Sequence, residues 1–215
     1  MIRILLLDDH AVVRTGYRRL IDAEDGLQVV AEAATADEAY CCVQQGGIDV
    51  AVVDLSLRKG SGVEAIRRML SRDPSLKVLV LSMHDNAGFV TQAMRAGALG
   101  YLTKSSEPAE MLSAIRMVAK GRRILSADIA QVLASATLDG DQLLNRLTPR
   151  EFEVLRMAAT GEPASLIADQ MHLSHKTILN HLSAIRQKLD AENDFKLFRV
   201  AARHGLVDFA VEAYC

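Results

Sequence analysis

The chain of 215 residues carries a formal net charge of −2, with half of its residues apolar and 24% charged. That is ordinary for a globular protein of one large or two small domains. It excludes bulk affinity for nucleic acid or membrane, so any such contact must come from a local patch. No apolar run reaches membrane-spanning length, and Asp8 and Asp9 come too early for a signal peptide. Cys41, Cys42 and Cys215 have neither disulfide nor metal spacing, which predicts a reducing compartment, the cytoplasm.

In chain order, strand-length apolar runs alternate with segments of helical period. Ile2–Leu7, Leu27–Ala33, Val50–Val53, Lys77–Leu81 and Leu99–Leu102 read as strands. Helices are expected at Val12–Ala23, from Thr35 or Asp37 to Gln45, at Gly62–Arg72 and at Ala87–Arg95; a further one starts at Glu107-Pro108 and runs to Lys120. Val50–Val53 is too short and too β-branched for a helix, and it reads as a strand buried on both faces. Five strands separated by helices predict an α/β flavodoxin-like domain: a five-stranded parallel sheet in the order 2-1-3-4-5.

In such a sheet all carboxyl ends share one edge, where ligands and chemistry sit. Asp8 and Asp9 follow the first strand, Asp54 the third, Ser82 the fourth and Lys104 the fifth. A single Asp after a strand is usually a turn or helix cap. Complementary groups at four strand ends instead predict one crevice. Three crowded carboxylates repel unless a cation neutralises them, and oxygen ligands without His or Cys suit Mg²⁺. A carboxylate can also be a nucleophile that forms an aspartyl-phosphate. Phosphoryl transfer to Asp54 needs positive charge on the phosphoryl oxygens, which Mg²⁺, Lys104 and the Ser82 hydroxyl would supply.

With Gly62 eight residues after Asp54, these residues resemble the receiver domain of bacterial two-component response regulators over 1–121. The resemblance implies that Asp54 accepts a phosphoryl group from a sensor histidine kinase. It further implies that Asp9, Asp54 and the Ser56 carbonyl hold Mg²⁺, with Asp8 acting through a bound water. Lys104 would pair with the phosphoryl group, and Ser82 and Tyr101 match the family's switch pair. Arg58 stands where the family usually has Pro, which leaves the loop after Asp54 less constrained.

A linker is expected at 122–146, with a small Ala-rich helix at Ala127–Ala136 and a polar loop at Thr137–Asp141. The remainder, 147–215, is helical throughout. Thr148, Pro149 and Glu151 form a helix start. That helix runs to Thr160-Gly161. A short helix at Pro163–Met171 is expected to turn Leu166 and Ile167 inward. His172-Leu173 connects it to a helix capped by Ser174 and running to Leu189, and a fourth helix covers Asp194–His204. Short helix, tight turn and longer capped helix make a helix-turn-helix, whose second helix enters the DNA major groove.

Over 147–215 eight Lys and Arg face nine Asp and Glu, so the region as a whole has no basic footprint. The segment Ser174–Lys188, however, holds Lys176, Arg186 and Lys188 and no acid. Leu147–Leu155 together with Ser174–Leu182 resemble the LuxR-type helix-turn-helix, and the two halves together resemble the NarL/FixJ class of response regulators. The resemblance implies a transcription regulator that binds promoter DNA as a phosphorylation-favoured homodimer. Lys176, Thr177, Arg186 and Lys188 would contact phosphates; Leu179, Asn180 and Ser183 would face base edges. The segment Ala164–Ala168 and Leu179 depart from the family's usual pattern, where cationic contacts often stand. His84, His172, His175 and His181 share no metal spacing.

Two other functions are weighed by the same residues. An aspartyl-intermediate phosphatase or dehalogenase needs a second acid close after its nucleophile, and Leu55-Ser56-Leu57 offers none. A constitutive DNA-binding module with a vestigial receiver is opposed by the intact acidic trio. The chain therefore reads as no enzyme beyond accepting its own phosphoryl group and slowly losing it.

Overall fold

A computed structural model describes residues 1–57, 61–138 and 143–207, which fall into two units, one ending at Asp141 and one starting at Gln142. Arg58 in the loop after Asp54, Asp139–Asp141 of the loop expected at Thr137–Asp141, and Cys215 lie outside the described residues, whereas Thr137 and Leu138 continue a helix.

The first unit alternates β1 (Ile2–Leu7), α1 (Ala11–Asp22), β2 (Leu27–Ala33), α2 (Ala36–Gln45), β3 (Val50–Val53), α3 (Gly62–Arg72), β4 (Lys77–Ser82), α4 (Ala87–Arg95), β5 (Gly100–Thr103) and α5 (Pro108–Ala119). The helix starts are set by side-chain caps. Thr35, Ser61 and Asn86 accept from the backbone N–H three residues on, satisfying a donor that the first turn leaves free. β3 is buried at all four positions, as its apolar run requires. It lies between β1 and β4 in a fully parallel sheet. Ile4, Leu6, Val50, Val52, Leu79, Leu81 and Leu102 on the sheet pack with Met111, Ile115 and Val118 of α5 in one core cluster.

The sheet has six strands, in the order β2-β1-β3-β4-β5-β6, which extends the expected five by β6 (Ile124–Leu125). Two residues are too few to show alternation, so no sequence period marks this strand. It fits because Gly100 has no side chain: a Cβ there would stand 2.9 Å from Ile124 Cγ2. α6 (Ala127–Leu138) follows, with Ile129 fully buried. Thr103 Oγ1 donates to Asp128 Oδ2 at 3.3 Å, which ties the end of β5 to the start of α6. Part of the stretch 122–146 expected as linker is thus built into the first unit.

The second unit holds a 3₁₀ turn (Leu143–Arg146), α7 (Pro149–Ala159), α8 (Ala164–Gln170), α9 (His175–Lys188) and α10 (Asp194–Arg203). Thr148 and Glu151 form a reciprocal capping box on α7. Between α8 and α9, His172 takes a φ of 52°. The chain then folds back so that Leu173 N–H donates to Ala168 O at 2.9 Å, closing the helix end. Phe152, Leu155, Ile167, Ile178, Ile185 and Ala201 form the interior. Leu166, expected to face inward beside Ile167, is instead 42% exposed. Adjacent helical positions are about 100° apart, and Ile167 alone meets the interior.

Candidate functional site

The parallel ladder brings the strand ends together. Asp54 N–H donates to Leu7 O at 2.8 Å, and Lys104 N–H to Ser82 O at 2.9 Å. Asp54 therefore stands beside Asp8, and Lys104 beside Ser82. Behind the site, Gly62 at the start of α3 sits against the chain leaving β3. A Cβ on Gly62 would lie 2.4 Å from Asp54 O and 2.5 Å from Leu55 Cα.

Asp8 and Asp54 are buried, at 4% and 2% exposure. Unpaired, two such carboxylates would be costly. The Lys104 ammonium meets both, 2.7 Å from Asp8 Oδ2 and 2.6 Å from Asp54 Oδ2. Burial opposes the charge on Lys104, but hydrogen bonds and charge from Asp54 and Asp8 outweigh it and raise its pKa above the ordinary Lys value. The other Asp54 oxygen, Oδ1, accepts the Ser56 backbone N–H at 3.0 Å. Carboxylate oxygens of Asp8, Asp9 and Asp54, with a ring nitrogen of His10, lie within 4.8 Å of one another, an arrangement able to hold a metal ion. The sequence reading omits His10, although it directly follows Asp8-Asp9.

Ser82 and Tyr101 converge on one backbone segment. Ser82 Oγ accepts His84 N–H at 3.1 Å, and Tyr101 Oη donates to His84 O at 2.7 Å. Both side chains are fully buried. Burial pushes the Tyr101 pKa up, against a hydrogen bond to Ser82. The Tyr101 ring lies wholly inside in this structure. The His84 ring stacks on Phe89, with centroids 3.9 Å apart and planes 2° from parallel.

In the second unit, α9 divides its faces by period. Ile178 and Ile185 are buried, while His175, Lys176, Leu179, Asn180, Ser183 and Gln187 are exposed. Ser174 caps the helix by accepting Thr177 N–H at 3.1 Å. Lys176, Leu179, Asn180 and Ser183 thus share a free face, with Thr177 half-buried beside it. Arg186 and Lys188 are engaged within the unit instead. Arg186 Nε donates to Asp194 Oδ1 at 3.1 Å, and Lys188 Nζ lies 2.6 and 2.8 Å from the two Glu151 carboxylate oxygens.

Known proteins show the same two parts. The family described as "Response regulator receiver domain" matches residues 4–116, and "Bacterial regulatory proteins, luxR family" matches 145–201. The chain is 34% identical over 209 residues to the response regulator UvrY of Escherichia coli, covering 96% of each chain. It is 36% identical over 213 residues to the response regulator GacA of Pseudomonas aeruginosa, covering 98% of this chain and 100% of that one. RcsB of Salmonella enterica serovar Typhimurium, solved on promoter DNA with phosphomimetic BeF3−, aligns at TM-score 0.74 and 26% identity over 94% of this chain and 98% of that one. A LuxR-family two-component response regulator from Aurantimonas is 46% identical at TM-score 0.61, over 63% of this chain and 97% of that one. With receiver and LuxR-type parts both matched in order along nearly the whole chain, this protein belongs to the two-component response regulators of the NarL/FixJ class and is a response regulator transcription factor.

Proposed function

We propose that Asp54 is the phosphoacceptor, that the phosphoryl donor is a histidine kinase, and that phosphorylation favours a promoter-binding homodimer acting in the cytoplasm. The observation that carries this reading is the Lys104 ammonium resting on Asp54 and Asp8 at the bottom of an acidic crevice. Asp54 Oδ2 attacks the incoming phosphorus, the donor's phosphorus–nitrogen bond breaks, and the ammonium moves from the carboxylate to the new phosphoryl oxygens. Ser82 lies at the end of β4, next to Lys104, and supplies a hydroxyl donor to the same group.

The donor set is oxygen-rich and anionic, which fits Mg²⁺. Asp9, Asp54 and Ser56 would hold it, with Asp8 beside them. When bound, the ion neutralises charge on the phosphoryl oxygens. The only catalysis proposed for the chain is its own phosphorylation and slow dephosphorylation.

For DNA, the exposed face of α9 is the reading surface. Leu179, Asn180 and Ser183 would face base edges, and Lys176 and Thr177 the backbone. Arg186 and Lys188 reach phosphates only by leaving Asp194 and Glu151. What supports this reading is the likeness to RcsB, whose structure carries promoter DNA.

The test is labelling with acetyl phosphate and Mg²⁺, followed by DNA binding. Wild type is expected to take up one phosphoryl group and to bind promoter DNA more tightly; Asp54→Asn is expected to do neither. Full labelling of Asp54→Asn would overturn the assignment.

A further inference from the structure

A cavity of about 260 Å³ opens in the second unit between the end of α7, the later turns of α9 and the start of α10. None of Lys176, Leu179, Asn180 and Ser183 lines it, so it is separate from the proposed DNA-reading face. Leu155, Leu182, Leu197 and Phe198 give it apolar walls, and its charged groups are Glu162, Arg186 and Asp194. Arg186 Nε donates to Asp194 Oδ1 at 3.1 Å, and the Asp194 side chain is 82% exposed, so this pair stands toward solvent.

Glu162 is placed differently. Gly161 has a φ of 86°. Its N–H donates to Ala158 O at 3.1 Å and the Glu162 N–H to Met157 O at 3.2 Å, the paired bonds that close a helix on a left-handed residue. The residue after such a turn commonly lays an apolar side chain against the last turn of the helix. Here it is a carboxylate, and its Oε2 atom is buried without a hydrogen-bond partner among the described residues. Arg156, the cation that feels the Glu162 charge, directs its Nε–H to Glu153 Oε1 at 2.7 Å.

We infer that this cavity binds a small protonated amine with an apolar body, its ammonium on Glu162 and its ring or chain against the leucines and Phe198. A buried carboxylate oxygen with no donor is costly, and a ligand that supplies the donor recovers that cost. An ammonium supplies donor and charge together, in a hydrogen bond about twice as strong as a neutral one. Arg186 and Asp194 offset each other, so the cavity keeps one negative charge and matches a single positive one. An alcohol would meet the oxygen without the charge, and a carboxylate would be repelled. The volume falls just under the range for drug-sized ligands, which suits one ring or a short chain. The aromatic ring of Phe198 favours a ring or a cation beside it.

The experiment uses the full chain with labelled leucine methyls and three probes of one shape: phenethylamine, phenethyl alcohol and hydrocinnamate. Phenethylamine is expected to shift the Leu155, Leu182 and Leu197 methyl signals saturably, and the alcohol and the carboxylate to bind about tenfold more weakly or not at all. In Glu162→Gln the amine should fall to the level of the alcohol. Equal binding of amine and alcohol by the wild type would mean an apolar cavity without a role for Glu162, and would overturn the inference. So would a preference for hydrocinnamate, which would make Arg186 the recognising group. Shifts of these methyls that follow protein concentration and are indifferent to amine would assign the cavity to a second copy of the chain, and amine-induced shifts confined to the acidic crevice of the first unit would place the binding there; either result overturns the inference. The wild-type comparison of the three probes decides the matter even if the variant folds poorly.

Discussion

Lys188 on α9 closes on Glu151 of α7, with its ammonium 2.6 and 2.8 Å from the two carboxylate oxygens. Glu151 is buried and is also half of the capping box that starts α7. One carboxylate thus holds the start of α7 and the end of α9 together.

Lys188→Ala is therefore expected to act on stability rather than on salt dependence. Loss of the pair should cost on the order of 1 kcal/mol, discounted for the lysine's partial exposure. Urea denaturation followed on the second unit measures this. Lys176→Ala, on the exposed face, should leave stability alone and lower the salt slope of DNA binding by about one unit. A lowered slope for Lys188→Ala with unchanged stability would return Lys188 to the phosphate contacts.

The same pair sets an acid limit. Burial alone would raise the Glu151 pKa, but hydrogen bonds from Lys188 and Thr148 outweigh it and hold the carboxyl below its ordinary value. A depressed folded-state pKa contributes stability that is full above the ordinary carboxylate range and is lost as pH falls through the lowered value. Carboxyl-carbon NMR should find the Glu151 midpoint below about 4.3, the free Glu value. Lys188→Met should move it upward, and a midpoint indifferent to that change would count against the pair.

Asn180 is exposed on the free face of α9 with Leu179 beside it. Its amide can pair with adenine through two hydrogen bonds. Asn180→Ala should cost about 1–3 kcal/mol at the true promoter site and leave scrambled DNA almost unaffected. Titration on both DNAs checks this; equal losses would mean that Asn180 touches only backbone.

Gly62 has no room for a methyl group, because the Asp54 carbonyl and Leu55 Cα fill the space and both are backbone. Gly62→Ala must push α3 away from the chain leaving β3 at Asp54 and Leu55. The expected cost is about 2 kcal/mol or more, with slower acetyl phosphate labelling of Asp54. Unchanged labelling with unchanged stability would show that the two segments part easily.

The elements most legible in the sequence were those with a local signature. β3 announced itself by four consecutive buried β-branched or small residues, and α7 by Thr148 at its cap. Asp8, Asp54, Ser82 and Lys104 were readable as a group because a parallel sheet fixes where strand ends meet. What stayed hidden depends on contacts distant in sequence. Lys188 reads as a free cation until its partner 37 residues away is known. β6 exists because Gly100 leaves space for Ile124, a fact of packing with no periodic trace. Leu166 and Ile167 look equally apolar, and only the packing of α8 against its neighbouring helices decides which of them is covered.

The short strand at Ile124–Leu125 has a consequence for handling the first unit by itself. Ile124 N–H donates to Leu99 O at 3.0 Å and Ser126 N–H to Tyr101 O at 3.2 Å, so β5 is lined on its outer side. Without those donors, β5 becomes a bare edge in a sheet of apolar strands, the arrangement that recruits a strand from another chain. A fragment cut after Gly121 is expected to self-associate through β5 on size-exclusion chromatography, whereas one cut after Leu138 keeps its edge sealed and elutes as a smaller species.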